Sequence, residues 1–341
     1  MIFNIKNIIK KKFLNIGFKS KIKINQKFDQ INRSSKHKIG KKSFGKKNKA
    51  KIFYVIKRTP GAGFFSNLAY VLKNLEIAYK NNYNPIVDME NFPTMYSQKK
   101  NIGNIKNVWE IFFNQTSKYD LEKVYKSKNV YFSPNNLNFR LAVFKQKKIK
   151  KIFDRYIKIN DKILKTISIF TKENFTNKKV LGIHFRGTDQ KISPNHAFPP
   201  TIFEIKNLID QKIKYQNFDK IFLLTEQLQY YNELKQTYGN LICSYDYFRS
   251  DDIKDFSSNL RKNHRNRLGV ESLVEAITLS KCNEIVYCET NISLFAIFYS
   301  NFKVKKCHLD KGIKSANPSV AFLSWYFYIY WPQSIKNFLK F

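Results

Sequence analysis

The chain has 341 residues, 43% hydrophobic and 16% aromatic, with 62 Lys and Arg against 25 Asp and Glu and a formal net charge of +37. That apolar content excludes a disordered chain and suits two domains. With five His, and four Cys (Cys243, Cys282, Cys288, Cys307) that form no C-x-x-C pair, no metal-binding spacing is visible, and the thiols read as free and buried in a reducing compartment.

The charge is uneven. Residues 1–51 hold seventeen Lys and Arg and a single acid, Asp29. Lys, Asn, Ile, Phe and Tyr are abundant together, which is a compositional bias rather than a nucleic-acid signature. The charge beyond the tail follows no recognised module, so no nucleic-acid partner is expected. In the tail, Ile2, Ile5, Ile9, Phe13 and Ile16 recur at helical spacing with lysines on neighbouring faces. That pattern suits an amphipathic helix over residues 1–20 on an anionic membrane surface, the alternative being a disordered basic tail. Lys6 and Lys10–Lys12 break any signal-peptide core, and no run reaches the roughly 20 apolar residues of a spanning helix. The expected location is cytoplasmic, peripheral at the inner membrane where the tail engages it. Residues 20–50 read as a linker, making 1–50 a basic extension.

From residue 51 the texture is α/β. "KIFYVIKR" (51–58) predicts a strand and "TPGAGFFSN" (59–67) a turn. Leu68, Val71, Leu72, Leu75 and Ala78 then carry a helical period, and "NPIVDM" and "NVYFSP" predict further strands. A long helical stretch over about 136–175 leads to a second series. Strands are expected at "KVLGIHFRG", "KIFLLTE", "NLICSYDY", "EIVYCET" and "VKKCHLD", with helices between them. "AFLSWYFYIYW" (321–331) reads as a packed C-terminal segment. Alternating order implies two parallel sheets, one over 51–175 and one over 176–320, followed by an aromatic segment, 321–341.

Polar groups collect where these strands end. In the glycine turn, Gly61 and Gly63 allow close backbone approach to an anion, or form a plain structural turn. In "GIHFRGTD", Arg186 can present paired N–H donors to phosphate, Asp189 can fix the arginine or a ligand hydroxyl, and His184 points to the same side as Arg186. A core histidine beside a surface arginine is the alternative. Glu226, Asp246, Thr290, Asn291 and Ser293 sit at the corresponding ends of other strands, Ser293 also reading as a helix cap. Glu271 and Glu275 share a helix face, either solvated or, for Glu275, projecting into a cleft. "SDDIKD" (250–255) reads as a loop, and "RKNHRNRLG" (261–269) as an auxiliary anion site or a solvated basic loop. His196 has the intrinsic chemistry of a proton acceptor, or it braces its proline-rich turn.

"GIHFRGTD", "KIFLLTE" and "LVEAITLSKCNEIVYCETNIS", taken in order, resemble the α1,6-/protein O-fucosyltransferase superfamily, which includes the nodulation fucosyltransferases. "GAGFFSNLAYVLKNLEIAY" is similar to the start of its N-terminal domain, so the resemblance spans about 52–310. It implies a GT-B-like fold of two Rossmann-type domains, the first acceptor-side and the second binding the donor. It implies inverting transfer from GDP-fucose as substrate, with no cofactor and no metal, to a glycan or lipid-linked glycan of a bacterial surface polysaccharide. By the same resemblance, Arg186 meets the donor diphosphate and His184 lies near the guanosine. Glu275 meets guanine, Thr290 and Asn291 hold phosphate, and Glu226 is the acid of the second motif. The α1,6 enzymes carry a second arginine where Gly187 stands, and a lysine and a glutamate where this chain has Gln190 and Asn195-His196. The expected catalytic set is Arg186, which the resemblance places on the leaving diphosphate, with Asp189 and His196 from their own chemistry, and the base is left open. A related transferase using another nucleotide-sugar, or a basic nucleic-acid-binding protein, are the alternative readings.

Overall fold

The computed structural model describes residues 25–36, 38–98, 105–135 and 141–330. The amphipathic segment expected over 1–20 lies outside these described residues. The chain divides into two compact units, residues 20–167 with 261–274 and residues 168–260 with 275–341.

The first unit is built on four strands, β1 (Gly40–Lys42), β2 (Lys47–Ile56), β3 (Asn84–Val87) and β4 (Ser127–Phe132), in the order β1-β4-β2-β3. β2 runs parallel to β3 and β4, and β1 adds antiparallel to β4. Helix α1 (Gln26–Ser34) precedes the sheet, and its Ile31 is buried. The stretch expected as a linker therefore contributes a helix and two strands. Its few apolar side chains, Phe28, Ile31 and Phe44, pack into the same cluster as Phe53, Phe92 and Phe132, and that burial outweighs the surrounding lysines. Helix α2 (Phe64–Lys80) buries Leu68, Val71, Leu72, Leu75 and Ala78, the residues its period predicts.

The long helical stretch is two helices, α3 (Lys147–Tyr156) and α4 (Asp161–Phe175). Residues between them are extended because they pair elsewhere. Ile159 bridges Phe113, the Asn114 amide donates to the Lys158 carbonyl at 2.8 Å, and the Asn160 amide donates to the Phe112 carbonyl at 3.0 Å. Two β-branched isoleucines at 157 and 159 make that exit from helix inexpensive.

The second unit holds β5 (Val180–His184), β6 (Lys220–Leu224), β7 (Ile242–Cys243), β8 (Glu284–Tyr287) and β9 (Lys305–His308). All pairings are parallel, in the order β7-β6-β5-β8-β9. Every residue of β5 is buried, as expected of a central strand covered on both faces. Leu181 and Ile183 join Ile205, Ile209 and Leu234 in the core, each such side chain contributing about 1.5–3 kcal/mol. The helices in this half of the chain are α5 (Ile202–Gln216), α6 (Leu228–Tyr238), α7 (His264–Leu279), whose residues up to 274 belong to the first unit, α8 (Asn291–Tyr299) and, after β9, α9 (Pro318–Tyr330). "NLICSYDY" yields only the two residues of β7, since Tyr245 leaves the sheet edge to stack on Phe170 with ring centroids 4.0 Å apart.

The chain steps from β5 outward to β6 and β7 on one side, and returns to β8 and β9 on the other. The β5/β8 boundary is thus the point where strand order reverses, and parallel strands bring the loops after β5, β6 and β8 to one edge. In open α/β sheets that edge is where ligands bind.

Candidate functional site

β5 ends on His184, whose backbone pairs with Leu224 on one side and Tyr287 on the other. The imidazole is 3% exposed, and neither ring nitrogen has a hydrogen-bond partner among the described residues. Burial, helped by the nearby Arg186 charge, lowers its pKa to about 3, so the ring is neutral. A buried polar group without a partner is costly and calls for an explanation. A second such group stands across the boundary. Asn291, at the start of α8 just after β8, has a buried Oδ1 without a partner.

Arg186 follows on a half-buried position, and the loop behind it is held by the loop after β6. Glu226 Oε1 accepts from the Gly187 amide at 2.9 Å and from Thr188 Oγ1 at 2.8 Å, while Gln227 Oε1 accepts from the Thr188 amide at 3.2 Å. These bonds hold Thr188 at φ 33, a left-handed conformation that β-branched residues rarely adopt. A Cβ built on Gly187 would stand 1.8 Å from Gln227 Oε1 and 2.9 Å from Tyr230 Cε2. Any side chain at this position, a second arginine included, would require Gln227 and Tyr230 to shift. Asp189 continues into the turn Thr188–Lys191, and its side chain lies outside what is described. Glu226 is thus placed as a clamp on the Arg186 loop.

On the β8 side, Thr290 and Ser293 cap α8 reciprocally: Thr290 Oγ1 accepts from the Ser293 amide at 3.2 Å, and the Thr290 amide donates to Ser293 Oγ at 3.0 Å. Ser293 is fully buried, and its hydroxyl also bonds the Cys288 carbonyl at 3.0 Å. Its hydroxyl serves the cap, the alternative that its sequence position allowed.

Glu275 is half-buried on α7. Glu271, one turn earlier, is not on a solvated face: it is buried and gripped by both terminal nitrogens of Arg261, one at 2.7 Å. Arg261 also donates from Nε to His264 Nδ1 at 3.0 Å, so this member of the basic stretch is committed to structure. Asp246 is exposed. "SDDIKD" forms a loop and a short turn in which Asp251 accepts from the Gln229 amide, Asp252 from the Lys254 amide and Asp255 from the Ser250 hydroxyl. Among the described residues, no group of three or more His, Cys, Asp and Glu side chains is placed to hold a metal ion.

His196 is exposed, and its Nδ1 lies 2.8 Å from the Pro194 carbonyl. A carbonyl only accepts, so Nδ1 carries a proton, and in the neutral ring Nε2 is the acceptor. Its segment is braced by backbone contacts to residues 312–314. The Phe198 amide donates to the Gly312 carbonyl at 3.1 Å, and the Lys314 amide to the His196 carbonyl at 2.9 Å. The buried Lys314 ammonium donates to the Ala197 carbonyl at 2.9 Å. The imidazole is not what holds this turn. Gln227 and Lys314 went unnoticed in the sequence, where nothing sets them apart from other polar residues.

In the first unit, Gly61 has φ 78 and Gly63 caps α2. The Asn67 side chain closes the turn by bonding both the amide and the carbonyl of Ala62, each at 2.9 Å. This unit also contains a cavity of about 660 Å³ whose lining includes Glu90, Glu110, Asp120, Tyr119 and Tyr125, and none of the expected site residues.

No protein-family model and no curated protein sequence matches the chain. Solved structures do. NodZ α-1,6-fucosyltransferase co-crystallised with GDP is 13% identical, over 73% of this chain and 92% of that one, with a TM-score of 0.49. POFUT1 in complex with GDP-fucose is 10% identical, over 76% and 98%, with a TM-score of 0.42. FUT1 of Arabidopsis thaliana in complex with GDP is 9% identical, over 76% and 70%, with a TM-score of 0.41. At these identities and TM-scores the likeness assigns neither activity nor residue roles to this chain.

Proposed function

We propose that this protein is a glycosyltransferase that moves fucose from GDP-fucose to a glycan acceptor with inversion. The observation that carries the reading is the pair of unsatisfied buried groups, His184 and Asn291 Oδ1, at the ends of neighbouring strands beside Arg186. Such groups, at the sheet edge where α8 begins, fit a polar, anionic ligand of nucleotide size. The ordered motif set narrows that ligand to a GDP-sugar. Glu275 would accept from guanine N–H groups, and the neutral His184 would meet the nucleoside. Thr290 and Asn291 lie where α8 begins and would face the diphosphate.

The reaction is a displacement. The acceptor hydroxyl oxygen forms the new bond to the anomeric carbon while the bond from that carbon to the diphosphate oxygen breaks. The hydroxyl proton passes to His196 Nε2. The electron pair leaves on GDP, where the Arg186 guanidinium stabilises the growing negative charge with paired donors. Asp189 and Glu226 orient that arginine's loop, and the turn with Gly61 and Gly63 belongs to the acceptor-side unit. No metal is assigned a role. The acceptor would be a surface polysaccharide intermediate, reached from the cytoplasmic side with residues 1–20 on the membrane.

A thermal-shift series tests this. GDP should raise the melting temperature, by the equivalent of about 2.7 kcal/mol at a hundredfold excess over its Kd, with ADP and UDP much weaker. GDP-fucose should then lose fucose to water or acceptor. Stabilisation by UDP rather than GDP would move the reading to another nucleotide-sugar. Salt-sensitive oligonucleotide binding without any nucleotide shift would replace it with a nucleic-acid function.

A further inference from the structure

Helix α9 is mostly apolar, and among the described residues one side of it is buried while apolar side chains on the other stay exposed. Ala321, Trp325 and Tyr328 are buried. Trp325 and Tyr328 cluster with Phe198, the Tyr328 and Phe198 rings lie 5.6 Å apart, and the Tyr328 hydroxyl bonds Glu204 at 3.0 Å. The opposite side carries Val320 at 50% exposure, Leu323 at 41% and Tyr326 at 41%. At roughly 100° per residue these three fall within an arc of about 120°, facing away from the buried three. Ile313, just before the helix, is 74% exposed. The expected packed C-terminal segment is therefore packed on one face and open on the other.

We propose that this open face docks on an anionic lipid bilayer, as an interfacial helix separate from residues 1–20. Charge selects that occupant over a second copy of the chain. Each molecule carries +37, so two copies repel, whereas an anionic surface attracts. From Lys311 to Phe341 the sequence contains four lysines and no Asp or Glu, with nine aromatic residues, two of them Trp. Aromatic side chains with a polar edge, among lysines, are the chemistry of the membrane–water boundary. The described part of the helix, Pro318–Tyr330, spans about 20 Å, and no helix among the described residues is long and apolar enough to cross a membrane. An interfacial position is the one its exposed face fits. Paired with a basic tail, a shallow apolar helix also supplies the second signal that stable peripheral attachment requires.

The test is cosedimentation of the full chain with phosphatidylcholine vesicles containing phosphatidylserine, with and without about 0.5 M salt. At that salt the Debye length is only about 4 Å, which suppresses attraction by the basic tail. Wild type should retain salt-resistant binding. The variant Val320→Ser/Leu323→Ser/Tyr326→Ser keeps the charge and changes only exposed positions, so its melting temperature should match wild type. Its salt-resistant binding should fall about tenfold or more. Equal binding by the variant, or wild-type binding lost entirely at high salt, would overturn the proposal. So would light scattering that shows a wild-type dimer turned monomeric by the three substitutions, which would assign the face to a second copy.

Discussion

Glu226 and Thr188, thirty-eight positions apart, are joined by a 2.8 Å hydrogen bond from the threonine hydroxyl to the carboxylate. The same oxygen takes the Gly187 amide at 2.9 Å, so one side chain from the β6 loop fixes the backbone that carries Arg186. Glu226→Ala removes this acceptor from both donors, at a cost of about 1–3 kcal/mol. GDP affinity should fall about tenfold, measured by calorimetry, while Glu226→Gln, whose carbonyl still accepts, should sit close to wild type. Unchanged affinity in Glu226→Ala would remove the clamp from the account.

Gly187 tests the same loop from its steric side. Gly187→Ala drives a methyl into Gln227 Oε1 and should cost about 1–3 kcal/mol in chemical denaturation. Adding Gln227→Ala should restore part of that loss, because the two residues touch and their effects are not additive. Purely additive losses in the double variant would show that the contact is not the source of the strain.

Arg186→Lys retains the charge and loses the paired donors. Turnover should drop by roughly 10²-fold or more while the fold persists. Single-turnover kinetics with saturating GDP-fucose measures this directly, and activity within a factor of two of wild type would take Arg186 out of the chemistry.

The strand ends were legible because a buried parallel strand writes a continuous apolar run, and the first polar residues after it must lie at the sheet edge. That logic placed His184, Arg186, Glu226 and Asn291 at or just past strand ends without any coordinates. It failed where tertiary contacts overrode local pattern. Ile31 and Phe44 are too sparse among lysines to announce α1 and the β1 edge, and β1 itself, Gly40–Lys42, is nearly all polar because only one neighbour pairs with it. The break between α3 and α4 depends on Phe113, more than forty residues away, which no periodicity reports. Gln227 was invisible for a similar reason, since its importance lies in what it excludes at Gly187.

His184 should also mark the pH dependence of stability. Its folded pKa is lowered to about 3 by burial, against an ordinary value of 6.5. Between those values the unfolded chain binds the proton and the folded chain does not, so this contribution to stability is intact above pH 6.5 and is lost as pH falls towards 3. In His184→Asn, urea denaturation between pH 7 and pH 4 should show a shallower decline than wild type. An identical slope would mean that the ring is protonated in the folded state or is not the group responsible.

His196 separates chemistry from architecture most cleanly. Its turn is held by backbone bonds to Gly312 and Lys314, and its own ring contributes one bond, from Nδ1 to the Pro194 carbonyl. Removing the ring should therefore change the melting temperature and GDP affinity little. That same bond keeps the proton on Nδ1 and leaves Nε2 as the acceptor, the arrangement a general base needs. If Nε2 takes the acceptor proton, His196→Ala should lower kcat by about 10²–10⁴-fold at unchanged GDP affinity. His196→Gln should not recover it, since an amide cannot take up a proton at neutral pH. A small external amine base such as imidazole should restore part of the rate in His196→Ala and leave Arg186→Lys untouched, because only the first variant lacks a proton acceptor. A near-normal kcat in His196→Ala would pass the role to a carboxylate, with Asp189 the first to replace and Glu226 the second.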